Sequence, residues 1–212
     1  MIKAGPIEIT PLGHGSLMIV YEGRIIHVDP YTEAADYSQL PQADHIWITH
    51  EHFDHLDQQA IDLIKKADTK FVAAPSAAAK LEGDVRSMRN GDQLSVDNIR
   101  LEAVPAYNVI RERSPGEKYH PRGMGNGYVV TFDDFRLYIA GDTEAIPEMS
   151  DLTAIDLAIV PIMMPYTMSP EEALRAIQAF LPRSVLAYHT TPEDAQAFAK
   201  LVEQSRVNIK VL

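Results

Sequence analysis

Hairpin-joined strands, followed by alternating strands and helices, occur once in each half of the chain. In the first half, the apolar runs Ser16–Tyr21 and Arg24–Val28 are joined by Glu22-Gly23, where glycine supplies the positive φ that a two-residue turn needs. In the second half, Tyr128–Phe132 and Arg136–Ala140 are joined by two aspartates in the same way. This order of elements favours mixed sheets, since hairpins give antiparallel strands and strand–helix units give parallel ones.

We therefore predict an α/β fold in which two mixed β-sheets pack face to face with helices on the outer faces. The short apolar runs His45–Thr49 and Leu157–Val160 are typical of buried strands. Asp57 and Ser169 are typical helix caps, and Ser169 is followed by proline and two glutamates. Because 212 residues suit one domain and no linker interrupts the pattern, we expect a single domain over residues 1–212.

Charge and composition exclude several classes of function. The 30 acidic and 19 basic residues give a net charge of −11, which repels nucleic-acid backbones and anionic membrane surfaces. The absence of cysteine removes disulfides, thiolate metal sites and thiol nucleophiles. Neither a secretory signal nor a run of about 20 apolar residues is visible, so we expect a cytoplasmic protein.

Three of the eight histidines lie within six residues, in Thr49-His50-Glu51-His52-Phe53-Asp54-His55, directly after a predicted strand. Side chains two positions apart point the same way in extended chain, so His50 and His52 can reach one metal ion. Asp54 and His55 then turn toward a neighbouring position. A pattern of this kind arises by chance on the order of once in a thousand chains, which favours a metal site over a polar loop.

Two more strands end in residues that bind metals. Asp142 follows the strand Arg136–Ala140, and His189 follows Val185–Tyr188. Taken alone, Asp142 suits a turn and His189 suits a cap or a core position. Because ligands gather at the carboxyl ends of strands in α/β sheets, we interpret both as ligands that converge with the histidine motif.

The order of these motifs, with Ala-Gly-Asp-Thr after the histidine cluster and then a strand-terminal histidine, resembles the metallo-β-lactamase-fold hydrolases over nearly the whole chain. More narrowly, the chain is similar to short metal-dependent hydrolases that include ascorbate-6-phosphate lactonase-like proteins. The resemblance implies a four-layer αββα sandwich with the metals at one edge between the sheets. It assigns His50 and His52 to a first metal, Asp54, His55 and His189 to a second, Asp142 to a bridge, and Asp29 to a buried support for the metal loop.

One departure from the family concerns the first metal, which normally receives a third histidine after the middle strands. Here that place reads Ala106-Tyr107-Asn108. Asn108 offers a weak neutral oxygen and Tyr107 a phenol, and His120 in the following segment is the alternative. The first site is then weakened, completed by His120, or empty beside a single occupied site. We expect an incomplete or unusual first site.

Residues 106–127 form a long predicted loop, and such loops in compact domains are usually functional. Its basic side chains, among them Arg111 and Arg122, outnumber its acidic ones in an otherwise acidic protein. We interpret Asn108, Arg111 and Arg122 as binding a small anionic substrate, against the alternative of an ordinary solvated loop.

The expected reaction is hydrolysis of an ester, lactone or phosphodiester by metal-bound hydroxide. Asp54 would hold the metal or orient water, and His120 or His14 would donate a proton to the leaving group. One or two divalent ions are expected, with zinc preferred over manganese, nickel or iron. Alternatives are a non-catalytic metal-binding or sensor protein, a nuclease, and an iron dioxygenase. A homo-oligomer would be unsurprising.

Overall fold

The computed structural model describes all 212 residues and divides into two compact units, residues 1–89 and 90–212, each built on one seven-stranded sheet. The predicted α/β class with two mixed sheets is confirmed. The elements of the first unit are strands β1 (Ile2–Ala4), β2 (Ile7–Gly13), β3 (Ser16–Tyr21), β4 (Arg24–Val28), β5 (His45–Ile48), β6 (Lys70–Ala73) and β7 (Asp84–Ser87), with helices α1 (Gln58–Ile64) and α2 (Pro75–Ala78).

The strands of the first sheet lie in chain order. Strands β1 to β4 are antiparallel neighbours, and β4 to β7 are parallel. Glu22 and Gly23 both have positive φ in the β3–β4 turn, as predicted. Asp57 caps α1 by accepting hydrogen bonds from the backbone N–H of Gln59 and Ala60, which confirms the predicted helix start.

The second unit has a mixed sheet in the order β16-β15-β14-β13-β12-β9-β8, plus a separate hairpin formed by β10 and β11. The four strands β8, β9, β12 and β13 are antiparallel neighbours, as are the two strands of the hairpin, and β13 to β16 are parallel. Its elements are β8 (Gln93–Val96), β9 (Ile99–Ala106), β10 (Glu112–Ser114), β11 (Glu117–Lys118), β12 (Gly125–Phe132), β13 (Phe135–Ile139), β14 (Leu157–Ile162), β15 (Ser184–Thr190), β16 (Lys210–Val211), α3 (Pro170–Phe180) and α4 (Pro192–Gln204).

Helix α3 begins with the predicted capping box. The Ser169 hydroxyl accepts from the backbone N–H of Glu172, and the Glu172 carboxylate accepts from the backbone N–H of Ser169 at 2.8 Å. The spacing of Leu174, Ile177 and Leu181 predicts the apolar stripe of this helix, and the structure confirms it only in part. Ile177 is buried, but Leu181 ends the helix in the left-handed region and is 63% exposed.

Three further sequence expectations need correction. Residues 106–127 are not a continuous loop, because the ends of β9 and β12 extend into them and β10 and β11 pair within them. The sequence predicts that Ser76 opens a short alanine-rich helix, but α2 begins at Pro75, since proline suits the first helical position. The sequence predicts a last strand over Val207–Val211, but the strand contains only Lys210–Val211.

None of the four α-helices combines the length and the hydrophobicity that crossing a bilayer requires.

Gly127 allows close approach of the backbone that leads to Asp142. A Cβ placed there would lie 2.8 Å from the carbonyl oxygen of Ala140 and 3.1 Å from that of Ile139. We expect Gly127→Ala to lower the free energy of unfolding by about 1–3 kcal/mol, because backbone on one side cannot yield as a side chain could. Urea unfolding measures this, with the half-buried Thr131→Ala in the same strand as control. Equal stability of the wild type and Gly127→Ala would contradict the expected clash.

Candidate metal centre

The first unit presents its histidine motif at the carboxyl ends of two parallel strands. Val28 of β4 pairs with Trp47 of β5, so Asp29 and Thr49 follow at neighbouring places. The backbone N–H of Asp29 donates to the carbonyl of Trp47 at 3.0 Å. Sheet geometry therefore places a carboxylate beside the start of the motif.

Asp29 is fully buried and accepts three hydrogen bonds. The donors are the Thr49 backbone N–H at 2.7 Å, the Thr49 hydroxyl at 2.6 Å and His55 Nδ1 at 2.8 Å. Burial raises the pKa of Asp29, and the contacts with His55 and Thr49 oppose that rise. Because His55 gives its Nδ1 proton to Asp29, its neutral ring carries the lone pair on Nε2.

The orientation of His50 depends on the same carboxylate. The Thr49 hydroxyl has a single proton, which it donates to Asp29, so toward His50 Nδ1 at 3.0 Å it can only accept. Neutral His50 then also carries its lone pair on Nε2, which lies 3.0 Å from Nδ1 of His52. Asp29 thus fixes the tautomer of two imidazoles, one directly and one through Thr49, as supporting carboxylates do at metal sites.

The remaining predicted residues of the first unit lie in the same cluster. Asp54 Oδ2 is 2.9 Å from His14 Nε2 and 3.8 Å from His55 Nε2. The rings of His50 and His55 are 4.1 Å apart. A set of imidazole and carboxylate donors this dense, with nitrogens facing one another, fits a divalent metal ion.

The second unit has a histidine–carboxylate cluster of its own. Asp142 follows β13, and its Oδ2 lies 3.3 Å from His120 Nε2 and 4.0 Å from His189 Nε2. All three side chains are buried. The sequence named His120 as a candidate ligand, but its contact with Asp142 joins residues 22 positions apart and was not predictable from local pattern.

Left-handed backbone marks several of these positions. His14, Asp29 and His189 all have φ between 46° and 49°. Side chains other than glycine rarely adopt this region, and strain of this kind concentrates at functional sites. It was not predictable from residue type, because none of the three is a glycine.

Asn108, expected to bind substrate, uses its whole amide within the protein. Its Oδ1 accepts from the backbone N–H of His120 at 2.8 Å and from His120 Nδ1 at 2.7 Å. Its Nδ2 donates to Glu144 at 3.1 Å and to the carbonyl of Tyr166 at 2.8 Å. These four hydrogen bonds exhaust the amide, which favours a positioning role over substrate contact.

Glu144 is a buried residue that the sequence analysis missed. It accepts the backbone N–H groups of Val109, Ile110 and Arg111 at 2.8–3.1 Å. Burial raises its pKa, but these hydrogen bonds and the Arg111 guanidinium outweigh burial and hold the pKa below its ordinary value. The only available signal was its place two residues after Asp142.

The loop cations are neutralised locally. Arg111 contacts Glu144 at 3.3 Å and Glu172 at 2.5 Å, with 13% of its side chain exposed. Arg122 contacts Glu148 at 2.5 Å, lies 5.1 Å from the Tyr107 ring centre and keeps 69% of its side chain exposed. Substrate binding by Arg111 and Arg122 stays a prediction, and Arg122 is the better exposed of the two.

Tyr107 is poorly suited to complete the first metal site. Its hydroxyl donates to Glu148 at 3.0 Å. Burial and that carboxylate raise the pKa of Tyr107, which keeps the phenol protonated near neutral pH. A neutral phenol is a weak metal ligand compared with a deprotonated one.

Replacing Asp29 tests its supporting role. In Asp29→Asn, an NH₂ group would face N–H or O–H donors, so we expect the free energy of unfolding to fall by roughly 1–3 kcal/mol. Thermal or urea unfolding measures this. Asp36→Asn is the matched control, since Asp36 is exposed and asparagine caps equally well. If both variants keep wild-type stability, Asp29 does not hold the motif.

Comparison with known proteins places this arrangement in a family. Residues 8–189 match the family model described as a beta-lactamase superfamily domain. A UPF0173 metal-dependent hydrolase of Thermococcus onnurineus is 33% identical over 213 aligned positions, covering 92% of each chain.

Solved structures agree. A protein of Parabacteroides distasonis, provisionally named a metal-dependent hydrolase, has a TM-score of 0.89 and 43% identity, covering 97% of this chain and 92% of its own. The metallo-β-lactamase fold protein YhfI of Bacillus subtilis has a TM-score of 0.74 at 12% identity, covering 99% and 97%, which shows the fold alone. The narrower similarity to ascorbate-6-phosphate lactonase-like proteins stays a prediction. The chain belongs to the metallo-β-lactamase superfamily, among its metal-dependent hydrolases.

Proposed function

We propose that this hydrolase binds two divalent metal ions through the six ligands predicted from its sequence. The observation that carries the proposal is the buried Asp29 carboxylate, which leaves Nε2 of both His50 and His55 as lone-pair donors. In an ordinary polar loop with clustered histidines, nothing would be expected to fix the tautomers of two of the rings. The proposed ligands are His50 and His52 for the first ion, Asp54, His55 and His189 for the second, and Asp142 as the bridge.

The donor set is made of imidazoles and carboxylates without thiolates. We propose zinc, which these ligands suit, although manganese, nickel and iron accept the same donors. A metal ion held there would supply the nucleophile, because it would lower the pKa of a bound water to about 7.

A histidine of the protein would supply the proton that the leaving group needs. Asp54 reaches His14 at 2.9 Å, so His14 is suited to hold a proton beside that carboxylate and deliver it to a leaving group. His120 is the other candidate named by the sequence, either as a second proton donor or as a metal ligand. The contacts of its ring decide between the two roles.

We further propose a small anionic substrate with an ester, lactone or phosphodiester bond. The exposed Arg122 guanidinium supports this, because it can exchange its contact with Glu148 for a substrate carboxylate or phosphate. The match to the family model spans residues of both units, which supports the two acting together as one domain. A cytoplasmic location and a homo-oligomeric state stay predictions.

A non-catalytic metal-binding protein is the second candidate, favoured by one observation. Asparagine stands at position 108, where the family normally has its third histidine. A first metal held by only two histidines would bind weakly and could leave a protein that senses metal without turnover.

Metal removal and ligand replacement test the proposed function. We expect about two metal ions per chain by elemental analysis, and loss of hydrolysis of ester, lactone and phosphodiester substrates after chelation, with recovery on adding zinc. His52→Ala should bind less metal than the wild type, and its hydrolytic activity should be at least tenfold lower. Glu51→Gln is the matched control, because Glu51 lies between two proposed ligands but pairs with Lys80. Stoichiometric metal with no activity on any substrate would favour the sensor.

The anionic-substrate proposal has a separate test. We expect Arg122→Ala to raise KM for an anionic substrate about tenfold while leaving KM for a neutral ester unchanged, since one charge-assisted hydrogen bond contributes about 1.5–3 kcal/mol. Steady-state kinetics on both substrates measures this. Arg86→Ala, an exposed arginine paired with Asp84 in the first unit, is the control. An equal KM for the wild type and Arg122→Ala would rule Arg122 out.

A further inference from the structure

The hydrogen bonds of Asn108 fix which of its side-chain atoms is oxygen. The atom facing His120 receives a backbone N–H, so it must accept. The atom on the other side faces the carbonyl oxygen of Tyr166 and the Glu144 carboxylate, so it must donate. Oxygen therefore points at His120 and nitrogen points away from it, and the reverse assignment would break all of these contacts.

This orientation determines the tautomer of His120. An amide oxygen can only accept, so Nδ1 of His120, at 2.7 Å from Oδ1, carries the proton. The neutral ring then has its lone pair on Nε2, and that atom lies 3.3 Å from Oδ2 of Asp142. Nε2 of His189 lies 4.0 Å from the same oxygen. An imidazole lone pair and a carboxylate oxygen this close together are donors that one divalent cation would accept.

The segment that carries Asn108 is itself held in place. Glu144 accepts the three consecutive backbone N–H groups after Asn108 and also the Asn108 amide. Glu144 is 3% exposed, so these charge-assisted bonds are formed away from water, where they are strongest. The order of contacts is Glu144 to Asn108, Asn108 to His120, and His120 to Asp142.

We propose that His120 supplies the third imidazole nitrogen of the first metal ion, and that Asn108 and Glu144 are the positioning residues that aim it. The proposal rests on the proposed two-metal function. Asp142 would help to hold both ions, His189 would bind the second ion, and His120 would bind the first. Asn108 thus occupies the place of the family's histidine and orients a histidine from twelve residues further on.

The same contacts argue against His120 as a proton donor. A donor to a leaving group would need its proton on Nε2, the atom that faces Asp142. Since Nδ1 faces Asn108, both ring nitrogens of His120 are directed at protein groups rather than toward a leaving group. His14 then remains the candidate for proton transfer.

Metal affinity tests the proposal without relying on activity. Elemental analysis and competition with a chromophoric chelator, using zinc alone, should give two ions per wild-type chain and about one per His120→Ala chain. Asn108→Ala should weaken one site by 10–100-fold and leave the other unchanged, as loss of a supporting contact does. Tyr119→Phe, next to His120, is the matched control and should bind zinc as the wild type does.

Nitrogen-15 NMR of the metal-free protein gives a second readout, which needs no folded His120 variant. The wild type should show His120 with its proton on Nδ1, and Asn108→Ala should show a mixture of tautomers. A residue with only a structural role would not change that signal.

The outcomes separate the two proposals. The role of His120 would be overturned if His120→Ala bound two zinc ions with wild-type affinity. It would also be overturned if His120 of the wild-type protein carried its proton on Nε2. Neither result would overturn the proposed function. A wild-type chain that binds no zinc would overturn the proposed function itself.

Discussion

The buried carboxylate of Asp29 is the contact on which the histidine motif depends. It accepts two hydrogen bonds from Thr49 and one from His55, and it is fully buried. Burying such a charge is costly unless every lone pair that faces a donor is used. Here the donors are the same groups that must be oriented, so the interaction that stabilises the carboxylate also sets His50 and His55.

The second unit also orients an imidazole from a buried carboxylate, but an amide side chain makes the connection. Glu144 is a buried carboxylate that is satisfied by backbone N–H groups and by Asn108, and Asn108 in turn holds His120. In both units a buried carboxylate orients imidazole rings, either by a direct hydrogen bond or through one intervening side chain. The arrangement resembles the outer contacts of metal centres, where supporting hydrogen bonds fix the ring orientation and the tautomer.

Much of the molecule was predictable because its signals are local. Hairpin turns, the caps at Asp57 and Ser169, and the alternating strands depend on neighbouring residues, and the structure confirms them. The histidine motif and the strand-terminal Asp142 and His189 were recognisable for the same reason. The metal-ligand roles of these residues stay predictions. The errors fell where local signals are weak, as in the β10–β11 hairpin and the short last strand.

The sequence by itself determined the fold class, the family and the candidate ligands, because periodicity and motif spacing are properties of neighbouring residues. Only the tertiary structure decided what surrounds them. The amide oxygen of Asn108 binds His120, and the guanidinium of Arg111 pairs with two glutamates. Glu144 holds the backbone at Arg111. These contacts join residues 12 to 61 positions apart along the chain. No local pattern encodes them, since hydrogen-bond partners at such separations are chosen by how the strands and loops pack.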